Sequence, residues 1–204
     1  TNQGKALSAA GDLNGAIQAF SSATRDASYA TPYKAYLGLG NALLTLGNVT
    51  DAGVAFRAAA IDGTNPAPAS ALSSLGSCFL QLGRPADAIE AYRTALDYVG
   101  PHDDIRSINA GLGESLVADG KIADAIDAFQ SATADGLYEL TPSQQAAFDS
   151  ARETVSSQSA IASTQAGEVA FDTDADPLDP LGKSGNFMPD PSDTGFFTLS
   201  ESEM

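Results

Sequence analysis

Residues 83–95 read GRPADAIEAYRTA, in which a glycine is followed at fixed distances by alanine, tyrosine and alanine. The same form recurs in three other stretches: GDLNGAIQAFSSA (11–23), GNVTDAGVAFRAA (47–59) and GKIADAIDAFQSA (120–132). The leading glycines of the four stretches are separated by 36, 36 and 37 residues. A constant period of this length is the sequence signature of a protein built from stacked repeats.

The spacing inside each stretch predicts one face of a helix. In the first stretch Ala16, Phe20 and Ala23 lie at i, i+4 and i+7, which brings them to the same side of an α-helix. A second helical stretch precedes each later glycine, as in YKAYLGLGNALLTL (33–46). The glycine is expected to end that helix in the left-handed conformation. Each repeat is therefore predicted to be a helical hairpin.

These positions resemble the tetratricopeptide repeat family, whose pattern has a Leu-Gly pair in the first helix, a glycine at the turn, and alanine, an aromatic residue and alanine in the second helix. The Leu-Gly pairs here are Leu39-Gly40, Leu75-Gly76 and Leu112-Gly113. Gly4 stands alone in the first unit, and Leu72 and Asn109 replace the early aromatic residue that Tyr36 supplies in the second. The resemblance covers about residues 1–137. It implies an all-α fold, a right-handed α-α superhelix or solenoid of stacked hairpins.

The sequence divides into a repeat array, a capping helix and a tail. The repeats are expected at about 1–29, 33–65, 69–100 and 106–137. Residues 141–165 are predicted to form a C-terminal capping helix, because Thr141 and Gln144 match a capping box and Pro142 suits the first helical position. Its apolar stripe is predicted to comprise Ala147, Phe148, Ala151 and Val155. The chain begins without Met, inside the first hairpin, so we expect it to be part of a longer protein.

The tail at 167–204 has nine acidic residues, one lysine, four prolines and four glycines. This composition cannot build a packed core of its own, so an extended segment is predicted. The tail nevertheless carries apolar residues such as Phe171, Phe196 and Phe197. We therefore expect it to dock on the repeats, either in its own molecule or in a neighbouring one.

Alternating carboxylates in the tail are a weak candidate for a metal site. Asp172, Asp174 and Asp176 are spaced like the opening of a calcium loop. Pro177 and Lys183, however, stand where such a loop needs glycine and a bidentate glutamate. No metal is expected elsewhere in the chain.

Charge and hydropathy restrict the partners of the protein. Ten basic and 26 acidic residues give a formal net charge of −16, which repels the phosphates of nucleic acid and of anionic membranes. No stretch of 18 apolar residues is present, so direct membrane insertion is not expected. A protein or peptide is the expected partner. A cytoplasmic location is favoured, with membrane association through segments not present here.

The sequence has no recognisable catalytic constellation. His102 is the only histidine and Cys78 the only cysteine. The stretches GLGNAL (38–43) and GLGESL (111–116) lack the third glycine and the preceding strand of a dinucleotide site. We expect no enzyme activity and no cofactor.

The resemblance implies that the first helices line a concave groove that binds an extended peptide. It assigns the following residues to this groove surface: Lys5, Lys34, Leu37, Asn41, Leu44, Thr45, Ser73, Ser77, Leu80, Gln81, Ala110, Glu114 and Val117. The family also has a clamp of Lys, Asn and Arg that grips a C-terminal carboxylate. That clamp is not expected here, because Asn41 fits it but Ser73 and Ser77 replace its other polar or cationic residues.

The predicted function is a protein–protein interaction module that binds an extended peptide. The tail would serve as an autoinhibitor or as a second recognition motif. The alternative is a structural spacer in a larger membrane-associated or assembly protein whose activity lies outside this fragment.

Overall fold

The computed structural model describes residues 1–167, and within that range the backbone forms nine α-helices and no strand. They are α1 (Asn2–Ala9), α2 (Leu13–Arg25), α3 (Pro32–Thr45), α4 (Val49–Ile61), α5 (Ala69–Gln81), α6 (Pro85–Asp97), α7 (Ile105–Ala118), α8 (Ile122–Thr133) and α9 (Pro142–Gly167). Thr1–Ser159 form one compact unit, and of the remaining chain only the end of α9 is described. The helices α1 to α8 pair as four stacked hairpins, which confirms the predicted all-α fold.

Each hairpin turns at a glycine with a positive φ, as the sequence predicts. The φ angles of Gly11, Gly47, Gly83 and Gly120 are 82°, 80°, 69° and 79°. At the second turn the N–H of Asn48 donates to the carbonyl oxygen of Leu43, and that of Gly47 to the carbonyl oxygen of Leu44, both at 2.9 Å. These two bonds define a Schellman motif, which satisfies carbonyl groups at the end of α3. The Asn48 side chain then caps α4 by accepting from the N–H of Asp51.

An aromatic ring from the second helix of each hairpin lies directly on a glycine of the first. A Cβ atom added to Gly4, Gly40, Gly76 or Gly113 would come within 2.7, 2.7, 2.9 or 3.0 Å of the rings of Phe20, Phe56, Tyr92 and Phe129, respectively. All four rings are buried. This contact explains why glycine is needed in the Leu-Gly pairs, since any side chain there would occupy the volume of the ring.

The same rings also join one hairpin to the next element. A Cβ on Gly38 of α3 would overlap Phe20 of the preceding hairpin, and a Cβ on Gly111 of α7 would overlap Tyr92. In the last hairpin Phe129 meets Phe148 of α9, with ring centroids 5.2 Å apart. Phe20, Tyr92 and Phe129 therefore each contribute both to the inside of their own hairpin and to the packing of the next element. Phe56 belongs to a core cluster with Leu75 and Cys78 of α5.

The predicted capping box at the start of α9 is present. The N–H of Thr141 donates to Oε1 of Gln144 at 3.0 Å, and the N–H of Gln144 donates to Oγ1 of Thr141 at 3.3 Å. Ala151 of the predicted apolar stripe is fully buried, whereas Val155 is 39% exposed. The stripe is therefore shorter than the sequence suggests, because Val155 lies one turn beyond Ala151, where the helix is exposed.

The tail and its candidate calcium ligands Asp172, Asp174 and Asp176 lie outside the described residues. Within the described range no group of three or more His, Cys, Asp or Glu side chains is placed to hold a metal ion. None of the described helices combines the length and apolarity needed to cross a membrane.

Two helical glycines of the second hairpin provide a matched test of the ring contact. We expect Gly40→Ala to lower the free energy of unfolding by about 1–3 kcal/mol, because the new methyl group overpacks against Phe56. Gly53→Ala should instead raise it by about 1 kcal/mol, because the new Cβ finds ordinary contacts at 3.6 Å or more and alanine favours helix over glycine. Urea unfolding of both variants measures the two changes. Equal effects of the two substitutions would contradict the role given to the ring.

Candidate peptide-binding surface

The first of two depressions along the first helices lies between α1 and α3 and has a volume of about 510 Å³. We call it the N-terminal depression, and it is lined by Lys5, Ser8, Ala9, Phe20, Lys34, Leu37, Gly38 and Asn41. Phe20 reaches this surface because Gly38 has no side chain to cover its ring. The depression therefore combines an apolar floor with a polar and cationic rim.

The charge of the N-terminal depression is positive, in contrast to the chain as a whole. Lys5 and Lys34 are exposed, and within residues 1–167 neither forms an ion pair with a carboxylate. Hydrogen bonds with Thr1 and Thr31 lower the pKa of the nearby Tyr29 hydroxyl, and the charges of the two lysines lower it further. Two ammonium groups without a carboxylate partner favour an anionic ligand.

The second depression has a volume of about 580 Å³ and lies between α5, α7 and the start of α9. We call it the C-terminal depression, and it is lined by Ser73, Ser74, Ser77, Leu80, Gln81, Tyr92, Ser107, Gly111, Glu114, Tyr138 and Gln144. Hydroxyl and amide groups predominate. No lysine or arginine lines it, and Glu114 is its single charged residue. Such groups can donate to and accept from the backbone of an extended peptide.

Tyr92 brings a phenol to this depression where the other three hairpins carry phenylalanine. Its side chain is only 5% exposed, and the missing Cβ of Gly111 makes room for its hydroxyl. Burial raises the pKa of Tyr92 well above its ordinary value, and the nearby charge of Glu114 raises it further. Glu114 in turn accepts a hydrogen bond from the Ser143 hydroxyl in the first turn of α9. The phenol is therefore a neutral polar group at the floor of the depression.

The comparison with known families decides the identity of the array. A tetratricopeptide repeat model matches residues 1–67 and 55–104, which together cover half of the chain. The chain belongs to the tetratricopeptide repeat family. Members of this family form helical scaffolds for protein–protein interaction, so protein partners are indicated. Among curated protein sequences, none matches this chain significantly.

Solved structures share the fold of this tetratricopeptide repeat protein. The crystal structure of MamA aligns with a TM-score of 0.59 and 19% identity, covering 83% of this chain and 93% of MamA. A tetratricopeptide repeat protein from Parabacteroides merdae aligns with a TM-score of 0.60 and 17% identity over 75% of this chain and 59% of its own. A putative kinesin light chain from Podospora anserina, whose repeats are nearly identical to one another, aligns with a TM-score of 0.57 and 14% identity. The alignment covers 80% of this chain and 90% of that protein. Identities this low show a common fold and nothing more specific.

Most of the residues assigned to the groove surface of the tetratricopeptide repeats line one of the two depressions. The N-terminal depression includes Lys5, Lys34, Leu37 and Asn41, and the C-terminal depression includes Ser73, Ser77, Leu80, Gln81 and Glu114. The remaining assigned residues, Leu44, Thr45, Ala110 and Val117, line neither. Leu44 and Val117 pack against core clusters, and the Thr45 hydroxyl donates to the carbonyl oxygen of Asn41 at 2.8 Å.

Ala110 requires a correction, because it is fully buried and offers no surface to a ligand. Leu37 and Ser73, at the equivalent positions of the second and third repeats, remain partly exposed. The helix α7 packs against α5, α6 and α8. A methyl group at this position is too short to extend beyond that packing.

Several residues that line the depressions are not predicted from the sequence. Phe20, Gly38, Tyr92 and Gly111 belong to the ring contacts of the core and are visible from the surface only because the glycines lack side chains. The repeat pattern contains a signal for them, because a glycine at residue 38 or 111 leaves the ring of the preceding hairpin uncovered. Tyr138 lies in the connection before α9, where no periodicity is available to locate it.

The raised pKa of Tyr92 predicts a specific loss of stability at alkaline pH. The folded-state pKa of Tyr92 lies above the unfolded value of 10.0. The neutral phenol therefore makes its full contribution to the free energy of unfolding below pH 10.0. It is then lost as the pH rises through the folded-state pKa. Between about pH 9 and 11, the wild-type protein should therefore lose more free energy of unfolding than Tyr92→Phe, in which the buried ring is retained. Urea unfolding across this range measures the difference, and parallel pH profiles would count against it.

Proposed function

We propose that the chain is a protein-interaction module that holds an extended peptide along its first helices, across the N-terminal and C-terminal depressions. The observation that carries this proposal is that side chains from the first helices of successive hairpins converge on the same two depressions. Family membership supports a binding role in preference to catalysis.

The chemistry of the two depressions suggests what each would recognise. Lys5 and Lys34 would attract a carboxylate, and the partly exposed Leu37 above the buried ring of Phe20 would accept an apolar part of the same ligand. The hydroxyl and amide groups of the C-terminal depression would hydrogen-bond the peptide backbone in a way that depends little on its side chains. The ligand would therefore be an extended peptide with an acidic residue at the end that lies on α1 and α3.

The tail at 167–204 is a candidate for such a peptide. It combines nine acidic residues and one lysine with several phenylalanines, which complements a cationic depression with an apolar floor. Fully extended, its residues would reach roughly 125 Å at about 3.3 Å each. A tethered segment has an effective concentration on the order of millimolar, so weak contacts would suffice. The tail could act from the same chain or from a neighbouring copy.

The groove is tested by selecting dodecapeptides from a random library displayed on phage against the full chain. Selected peptides should contain Asp or Glu, and their affinity should fall about tenfold in Lys34→Glu, which corresponds to about 1.4 kcal/mol. Lys121→Glu is the matched control, because it makes the same change of charge at a residue that lines neither depression. Equal affinities of every selected peptide for the wild type and Lys34→Glu would rule out the groove as the binding surface.

Tail docking is tested by comparing the full chain with a chain ending at Gly167. If the tail docks, the shortened chain should melt at a lower temperature, because a contact that stabilises the folded repeats has been removed. A synthetic peptide of residues 168–204 should then shift the amide resonances of α1 and α3 in the shortened chain. Unchanged melting together with unchanged spectra would eliminate tail docking and leave peptide binding by the groove intact.

A further inference from the structure

The second helix of the second hairpin departs from the other three in a consistent way. The position after its first alanine holds Gly53, and the equivalents are Ile17, Ile89 and Ile126. The next position holds Val54, and the equivalents are Gln18, Glu90 and Asp127. At its last residue it holds Ile61, and the equivalents are Arg25, Asp97 and Ala134. Compared with the second helices of the other hairpins, α4 lacks an apolar side chain at an inward position and carries apolar side chains at two outward positions.

The backbone at Gly53 does not require glycine. Gly53 does not have the positive φ that would favour glycine. A Cβ added to it would lie 3.6 Å from Cβ of Cys78 and 3.7 Å from Cδ1 of Leu75, which are ordinary contacts. Glycine inside a helix is less favourable than alanine. Neither backbone conformation nor crowding therefore accounts for glycine here. The feature that distinguishes this hairpin is the space left by the missing side chain.

That space is a cleft of about 220 Å³, which we call the Gly53 cleft. It is lined by Thr50, Gly53, Val54, Arg57, Leu75, Cys78, Phe79, Leu82 and Arg84. Val54 and Leu82 at its edge are 65% and 41% exposed, and Ile61, two turns further along α4, is 79% exposed. The cleft shares no lining residue with either depression. A space of this size, with apolar residues on part of its wall, fits a single bulky side chain rather than a whole small molecule.

The charged residues of the Gly53 cleft are both arginines. Within the described residues Arg57 forms no ion pair with a carboxylate. Arg84 lies over the ring of Phe79, with its Cζ 4.7 Å from the ring centroid. Its Nε forms an ion pair with Oδ2 of Asp87 at 2.6 Å. Asp87 and Glu90 line an adjoining depression that also includes both arginines. The cationic group that lacks a carboxylate is thus Arg57, beside the apolar opening.

We propose that the Gly53 cleft is a second protein-docking site, which receives one bulky apolar side chain of a partner segment while a neighbouring acidic residue of that segment pairs with Arg57. Docking there covers Val54 and Leu82, which otherwise expose apolar surface to water. A pocket-bound apolar anchor beside an arginine is the usual composition of an energetically dominant contact between proteins. The Cys78 thiol takes part only through packing, since burial raises its pKa.

The test uses the same random dodecapeptide library on phage, selected against the full chain and then screened on variants. Gly53→Ile fills the cleft with the residue that the other hairpins carry, whereas Gly53→Ala adds only a Cβ and serves as the matched control. Peptides of the cleft class should contain a bulky apolar residue beside Asp or Glu. Their affinity should fall tenfold or more in Gly53→Ile, stay within about twofold in Gly53→Ala, and fall in Arg57→Glu.

Val54→Gln provides a second variant if Gly53→Ile does not fold, because Val54 is exposed and glutamine occupies this position in the first hairpin. It should weaken the same peptides. The proposal is overturned if no selected peptide loses affinity in Gly53→Ile or Val54→Gln, or if Gly53→Ala weakens binding as much as Gly53→Ile. Peptides of the groove class, which respond to Lys34→Glu and not to Gly53→Ile, report on the groove alone. The proposal for the groove and the proposal for the Gly53 cleft can therefore be contradicted independently.

Discussion

The contact between an aromatic ring and a glycine is the constraint on which the rest of this structure depends. Phe20 and Tyr92 each lie between a glycine of their own hairpin and a glycine of the next one. Two helices can approach this closely only where one of them has no side chain, and the ring then fills the space without a void. The hairpins, their stacking and the floor of each depression all follow from this one arrangement.

Because the ring contact recurs, small differences between repeats determine what each surface can bind. Tyrosine in place of phenylalanine at residue 92 brings a hydroxyl group to the C-terminal depression, and glycine in place of isoleucine at residue 53 opens a cleft on another side of α5. Both residues lie inside regular helices. A repeat scaffold can thus acquire distinct binding surfaces through single residues while its core contacts remain the same.

The sequence predicts the hairpins well because their determinants are local. Gly47 and Gly83 mark turns, Thr141 and Gln144 mark the start of a helix, and all of these operate within a few residues. The burial of Ala110 could not be predicted in this way, because it depends on packing between different repeats, where α7 lies against α5 and α6. The position of Tyr138 could not be predicted from the sequence either, because the connection before α9 has no repeating pattern.

The packing of α1 to α8 joins helices that are neighbours, or next neighbours, along the chain. Proteins whose contacts are so local fold rapidly, because little loop entropy is lost before each contact forms. Their stability is a sum over adjacent units, so the end hairpins open more readily than the central ones. Amide hydrogens of the second and third hairpins are therefore expected to exchange most slowly with solvent, and the Gly53 cleft lies in this part of the array.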